Sequence, residues 1–255
     1  MDLVTYLRTE WISAALCSNQ IPRSADNVLQ LGTEDGRAIT FIPRTVRELI
    51  TSSSEPDGKL TLAARRQLKQ QQQIKLAATV TYVDQAADDL TETATESVDV
   101  VISLMCAAVL KENGRDWKRS VREAARVLKP GGRLLFCEPS ALDGDSYLEY
   151  VQTLLATSDE LAVAEPDNES KEEESRLPVF AEVGFDNVDL VLVPHIAGVA
   201  VKSEDAGLTP SARAQKYNTQ EKERKADLSL EAYERGNKKR RRKKKSKEES
   251  AAPSS

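Results

Sequence analysis

Two strongly apolar segments flank one amphipathic helix in the middle of the chain, and this arrangement constrains the fold more than any other feature. Residues 97–106, SVDVVISLMC, form a continuous apolar run typical of a strand buried on both faces of a parallel sheet. Residues 116–129 have apolar side chains at helical spacing, and Pro130 and two glycines follow them. Residues 133–140 then return to a strand pattern. A strand–helix–strand unit of this length predicts an α/β doubly wound domain.

Further strand patterns extend this sheet on both sides. The pattern in the C-terminal part of the domain predicts a turn at Gly184 and two apolar strands. In such a fold, ligands bind beyond the carboxyl ends of the parallel strands, so the residues that directly follow each strand are the candidate site residues. The additional strand segments are residues 27–32, 46–54, 78–85 and 178–202.

Charge divides the chain into an acidic body and a basic tail. The first 200 residues hold 20 basic and 32 acidic side chains, a net charge of −12, whereas residues 201–255 hold 16 and 9, a net of +7. The apolar content falls sharply beyond Ser203. We therefore predict one domain over residues 1–203 and a charged, disordered tail over 204–255, with a basic cluster at 238–245. That cluster suits an acidic surface or a nucleic acid, and the bland alternative is a solubilising end.

Cysteine and histidine usage limits the chemistry. Cys17, Cys106 and Cys137 are the three cysteines, and no pair of them has metal-ligand spacing. With His195 as the single histidine, no metal site is predicted. The odd cysteine count and the absence of a basic n-region predict an intracellular protein, cytoplasmic or nuclear, with no cleaved signal peptide. No apolar run reaches the roughly 18 residues of a transmembrane helix.

Residues 97–140 resemble the second half of class I S-adenosylmethionine-dependent methyltransferases, of the type 11 group. The resemblance rests on a strand SVDVVIS, a helix ending in RVLKPGG, and a strand RLLFCEP that ends in an acidic residue. A weaker likeness links VPHIAGVAVK to the last strand of the methyltransferase-like 7 group. The resemblance implies a Rossmann-like seven-strand sheet with flanking helices, and S-adenosylmethionine as the cofactor.

Extending the resemblance towards the N-terminus identifies VLQLGTEDG as the first cofactor loop. Gly32 and Gly36 match the first and last glycines of the family pattern, while Gln30 replaces its acidic residue and Glu34 its middle glycine. Glycines at these positions let the backbone approach a ligand closely, because no Cβ intervenes and positive φ is allowed. Glu34 adds a side chain and a negative charge near the cofactor's own carboxylate, which it repels.

The resemblance also implies the remaining cofactor contacts. Glu55 matches the acid that binds the ribose hydroxyls, with Asp57 as a competitor and a solvated loop acid as the alternative. Ala87 and Asp88 match the loop that touches the adenine, although Asp88 and Asp89 also suit helix caps. The methionine part of the cofactor would lie against Ser103 and Leu104.

His195 is the candidate base, because its free pKa lies near neutrality. A packed, hydrogen-bonded histidine is the plainer interpretation, and Cys106 is interpreted as a core residue near the site. Methyl transfer depends mainly on holding the acceptor in line with the methyl group, so a missing catalytic triad does not argue against activity.

Three functions follow from these observations. The first is a methyltransferase that acts on a small-molecule acceptor, either a thiol or a lipid-like compound. The second is a methyltransferase-like binding or scaffold protein without catalysis, which Gln30 and Glu34 favour. The third is a nucleic-acid-associated methyltransferase directed by the basic tail.

Overall fold

The computed structural model describes residues 3–32, 38–75, 79–140, 144–156, 179–188, 194–206, 215–222, 224–225 and 228. The chain separates into two compact units, Met1–Gly207 and Leu208–Ser255. In the second unit, residues 215–222 are helical, although the sequence predicts a disordered tail there. The basic cluster at 238–245 lies outside the described residues.

The first unit alternates strands with helices along most of its length. Its helices are α1 (Leu3–Gln20), α2 (Ala38–Phe41), α3 (Leu62–Lys75), α4 (Cys106–Glu112), α5 (Trp117–Val127) and α6 (Gly144–Ala156). Its strands are β1 (Asn27–Leu31), β2 (Glu48–Thr51), β3 (Thr79–Thr81), β4 (Val98–Leu104), β5 (Leu128–Pro139), β6 (Phe180–Val188) and β7 (His195–Lys202). Among the described residues, no helix is long and apolar enough to cross a membrane.

The seven strands form one sheet in the order β3-β2-β1-β4-β5-β7-β6. The first five strands of this order pair in parallel, whereas β7 pairs antiparallel with both β5 and β6. The predicted α/β architecture with a seven-strand, Rossmann-like sheet is thereby confirmed. The carboxyl ends of β1, β2, β3 and β4 therefore meet at one edge of the sheet.

Helices cover both faces of the sheet, as the apolar strand patterns predict. On one face, Cys17 of α1 and Ile39 of α2 pack against Val28 and Val100 of the sheet. On the other face, a larger core joins α4, α5 and α6 to the sheet through buried residues that include Leu29, Leu110, Val121, Phe136 and Val151. The amphipathic stripe predicted for α5 is buried at Val121, Ala124 and Ala125. Its helix begins after Asp116, whose side chain accepts the amide of Lys118 at 3.0 Å.

Two local predictions are wrong. The helical pattern of residues 116–129 predicts a helix up to Pro130, but α5 ends at Val127, because Leu128 already pairs with Val98 in the sheet. The pairing then jumps to Val100 with Arg133, so the segment around Pro130 forms a bulge within β5. The predicted turn at Gly184 is also absent: this glycine lies inside β6 and pairs with Val199. Cross-strand pairing with β7 overrides the turn preference of an isolated glycine.

Candidate functional site

The predicted site residues follow neighbouring strands at the carboxyl edge of the sheet. Leu31 at the end of β1 pairs with Ser103 of β4, and Gln30 pairs with Thr51 of β2. The residue that follows each of these strands is therefore brought to the same edge, as the doubly wound topology requires. Gly32 follows β1, and Ser52 follows β2.

Gly32 and Ser52 join the ends of β1 and β2. Gly32 has a φ of 63°, in the left-handed region that favours glycine. Its amide donates to the hydroxyl of Ser52 at 3.2 Å, and this hydroxyl donates to the carbonyl of Gln30 at 2.8 Å. The side chains of Gln30 and Ser52 are buried. The other predicted loop residues, Glu34 and Gly36, lie outside the described residues.

The carboxylate of Glu55 is presented to solvent beyond three buried serines, Ser52 to Ser54. Its amide donates to the hydroxyl of Ser53 at 3.1 Å, which fixes the backbone of the turn and leaves the side chain outside. The competitor Asp57 is also exposed, but its carboxylate accepts the amide of Lys59 at 3.0 Å. Of the two acids, Glu55 therefore has the carboxylate that this turn does not use.

The loop after β3 is held against the loop after β2. Ala87 is buried, and its amide donates to the carbonyl of Ser53 at 2.7 Å. Asp88 is also buried, and its carboxylate forms a two-point ion pair with the guanidinium of Arg115, in which Nε donates to Oδ2 at 3.0 Å. Asp88 thus lies at the predicted place, but its oxygens contact a side chain of this same chain.

Ser103, near the end of β4, lies beside two buried polar side chains, Tyr147 and Glu138, that are not among the predicted site residues. The hydroxyl of Ser103 faces that of Tyr147 on α6, and neither oxygen has a hydrogen-bond partner of good geometry among the described residues. Glu138, near the end of β5, is fully buried in the same place. Burial raises the pKa of the Tyr147 hydroxyl above its usual range, and the nearby charge of Glu138 acts in the same direction. The sequence contains a signal for Glu138, because this acidic residue stands at the end of the predicted strand RLLFCEP.

Glu138 shapes the corner between β4 and α4. Its carboxylate accepts the amides of Ala107 and Ala108 at 3.1 and 3.4 Å. Burial raises the pKa of the Glu138 carboxyl to about 8, while these backbone hydrogen bonds act in the opposite direction. Met105, one residue before α4, has a φ of 58°, which is unfavourable for any residue other than glycine. The corner that follows Leu104 is therefore held in a strained conformation by buried contacts.

His195 lies at the same edge of the sheet but on the opposite face from Glu138. It pairs with Pro139 at the beginning of β7, and side chains alternate between faces along a strand. His195 is fully buried, and its Nε2 lies 2.7 Å from the hydroxyl of Thr9 on α1. Cys106, the first residue of α4, is buried in the core, as the sequence predicts.

A cavity of about 550 Å³ lies where α1 meets β6 and β7. None of the predicted site residues that the structure describes lines it. Its wall combines apolar and charged side chains, including Trp11, Leu16, Arg133, Asp186 and Val199.

Comparison with known proteins gives one family and a set of distant structures. Residues 29–136 match the family model described as a methyltransferase domain. A search of curated proteins finds no match. Among solved structures, a Burkholderia thailandensis 1,6-didemethyltoxoflavin-N1-methyltransferase with bound S-adenosylhomocysteine aligns with a TM-score of 0.52 at 12% identity, covering 79% of this chain and 81% of that one. This likeness shows a common fold.

Two further solved structures align at lower scores. The N-methyltransferase NodS from Bradyrhizobium japonicum WM9 has a TM-score of 0.45 and 13% identity, covering 80% of this chain and 99% of that one. A 16S rRNA methyltransferase of T. thermophilus, in complex with AdoMet and guanosine, has a TM-score of 0.46 and 15% identity over 78% of this chain. The alignment spans 41% of the length of that rRNA enzyme.

Proposed function

We propose that the chain, whose residues 29–136 match the methyltransferase domain family, transfers a methyl group from S-adenosylmethionine to a small-molecule acceptor, a thiol or a lipid-like compound. One observation carries the proposal. The residues that the family resemblance assigns to the cofactor, where described, converge on the carboxyl edge of β1, β2 and β4. Sites of doubly wound sheets occupy this edge.

The residues at this edge fit the cofactor in three respects. Gly32 has positive φ, so its backbone is open to close approach of a ligand. Glu55 presents an exposed carboxylate, which suits a pair of ribose hydroxyls. Ser103 lies near the end of β4, beside the end of β1, and its hydroxyl faces that of Tyr147.

We assign the parts of the site accordingly. Glu55 would hold the ribose, and Ala87 would border the adenine, with Asp88 behind it. Gly32, Ser103 and Leu104 would border the methionine part, and Gly36 would complete the first loop. When bound, the cofactor supplies an activated methyl group on a sulfonium.

The chain's own task in this reaction is to align the acceptor and to exclude water. Alignment of reacting groups supplies a large share of the rate enhancement in such displacements. A base is required only for an acceptor that arrives protonated, and His195 stays the predicted candidate. Its burial against Thr9 means that α1 must uncover it before an acceptor can reach it.

Calorimetric titration with S-adenosylhomocysteine tests the proposal. Wild-type protein is expected to bind, Gly32→Asp and Gly36→Asp to abolish binding, and Glu34→Gly to strengthen it by removing a charge near the ligand carboxylate. No heat and no thermal shift at millimolar ligand would contradict the proposal.

A chain that does not bind would instead be a methyltransferase-like scaffold. One contact favours this second function: Ser52 already accepts the amide of Gly32, a donor that a cofactor would otherwise meet.

The basic cluster at 238–245 gives the chain a second class of partner, an acidic surface or nucleic acid. No aromatic side chains interleave with its lysines and arginines, so stacking on bases is not part of the proposal. Deleting residues 236–247 should reduce salt-dependent retention on heparin and alter the cytoplasmic or nuclear distribution. Unchanged retention and distribution would leave the cluster as a solubilising end.

A further inference from the structure

Arg115 joins three loops at the carboxyl edge of the sheet. It lies between α4 and α5, and its guanidinium contacts Asp88 through Nε and Nη2. Its remaining nitrogen, Nη1, donates to the carbonyl of Glu55 at 2.9 Å. The Arg115 and Asp88 side chains are only 17% and 7% exposed. One side chain therefore connects the loop after β2 to the loop after β3.

Backbone contacts support the same connection. The amide of Ser53 donates to the carbonyl of Gln85 at 2.9 Å, which continues the pairing of β2 and β3 into their loops. Gly58 approaches the backbone of Gln85 and Ala86 so closely that a Cβ there would lie 2.9 Å from it. The amide group of Asn113 donates to the carbonyl of Ser54 at 3.3 Å. The relative position of these loops is thus fixed by several short contacts.

The backbone of Arg115 is also held in place by a hydrogen bond. Its amide donates to the carbonyl of Leu110 in α4 at 2.8 Å, and the preceding Gly114 turns the chain with a φ of 68°. Helix α4 begins directly after the corner that follows Leu104. Arg115 therefore links the β4–α4 corner, on the methionine side of the proposed site, to the loops on its adenosine side.

We propose that Arg115 is a positioning residue for the adenosine half of the cofactor site, an inference that rests on the proposed function. By holding Asp88 and the carbonyl of Glu55 together, it fixes the distance between the Glu55 carboxylate and Ala87. Preorganisation of two ligand-facing loops lowers the entropy lost on binding, so Arg115 raises affinity for the adenosine part without touching the reacting atoms.

A lysine cannot replace this contact fully. The planar guanidinium bonds a carboxylate at two points and still has a donor for the Glu55 carbonyl, whereas an ammonium is a single point charge. Removing the cation altogether leaves the buried carboxylate of Asp88 uncompensated, which frees the loop to rearrange.

The test compares Arg115→Met and Arg115→Lys with a matched control, Arg119→Met. Arg119 pairs with Asp89 at 3.2 Å, but both side chains are about half exposed, so that pair contributes little. Each variant is titrated with S-adenosylhomocysteine and with 5′-methylthioadenosine, which lacks the amino-acid part. Melting temperatures are recorded in parallel.

Arg115→Met should raise the Kd for both ligands about tenfold, by the same factor, because the lost order lies in the adenosine half. Arg115→Lys should recover part of the affinity, and Arg119→Met should bind like wild type. A purely structural role would lower the melting temperature and leave the Kd of the folded protein unchanged. If Arg115→Met does not fold, the same comparison is made with Arg115→Lys.

Two different failures are distinguishable. Wild-type protein that binds neither ligand overturns the proposed function and this inference with it. Wild-type protein that binds both, with the Arg115 variants equal to Arg119→Met, overturns this inference alone.

Discussion

The amide of Gly32 donates to the hydroxyl of Ser52 at 3.2 Å, and this contact closes the carboxyl ends of β1 and β2 onto each other. Because the same hydroxyl donates to the carbonyl of Gln30, Ser52 contacts a backbone acceptor within β1 and the backbone donor that directly follows this strand. The first loop of the proposed site therefore starts from a fixed point, which neither the glycine nor the serine would provide alone.

Ser52→Ala should lower the free energy of unfolding by about 1–3 kcal/mol, because the hydroxyl that accepts the Gly32 amide and donates to the Gln30 carbonyl is lost. Urea denaturation measures this loss. Ser97→Ala is the control, since the exposed hydroxyl of Ser97 donates only to the nearby carbonyl of Ala94. Equal stabilities of the two variants would show that the Ser52 contact contributes nothing.

Glu138 should make stability decrease as the pH rises. Its pKa in the folded protein is about 8, above the ordinary value of 4.5, so between these values the folded state keeps a proton that the unfolded state releases. The stabilisation is complete below pH 4.5 and is lost as the pH rises towards 8, by at most about 1.4 kcal/mol per pH unit.

Glu138→Gln removes this titration and should flatten the dependence of the unfolding free energy on pH. Urea denaturation at several pH values between 5 and 8 compares the slopes of the variant and the wild type. Parallel slopes would contradict the assignment of a raised pKa to Glu138.

Gly58→Ala should destabilise the fold much more than Gly114→Ala. Both glycines have a φ of 68°, so an alanine at either position is strained by the left-handed backbone conformation, at about 1–2 kcal/mol. A Cβ at Gly58 would also meet the backbone of Ala86 at 2.9 Å, whereas nothing lies within 4 Å of one at Gly114. Comparing the melting temperatures of the two variants measures the effect of the contact between a Cβ at Gly58 and the backbone of Ala86. Equal melting temperatures would contradict this contact.

His195 should be protected from chemical modification in the folded protein, because it is fully buried against Thr9. It is the only histidine of the chain, so the ultraviolet absorbance of the carbethoxyhistidine that diethyl pyrocarbonate forms reports on this residue alone. Slow modification of native protein and rapid modification in urea are expected. Rapid modification of the native protein would show that α1 uncovers His195. His195 must be uncovered in this way if it acts as the base.

Much of the fold could be predicted from the sequence because it depends on local periodicity. The apolar run in β4, the stripe of α5 and the strand β5 all bury the faces that their patterns predict. Two boundaries could not be predicted, at Pro130 and Gly184, because strand pairing with distant residues decided them.

The site divides in the same way. The sequence by itself determined which residues end or follow the strands, and hence that Gly32, Glu55 and Ser103 lie towards one edge of a sheet. Only the tertiary structure decided what those residues contact. Arg115 reaches the Glu55 carbonyl across 60 positions of the chain, and Glu138 and His195 fall on opposite faces through strand register. Such contacts depend on register and side-chain direction over long separations, which periodicity along the chain does not encode.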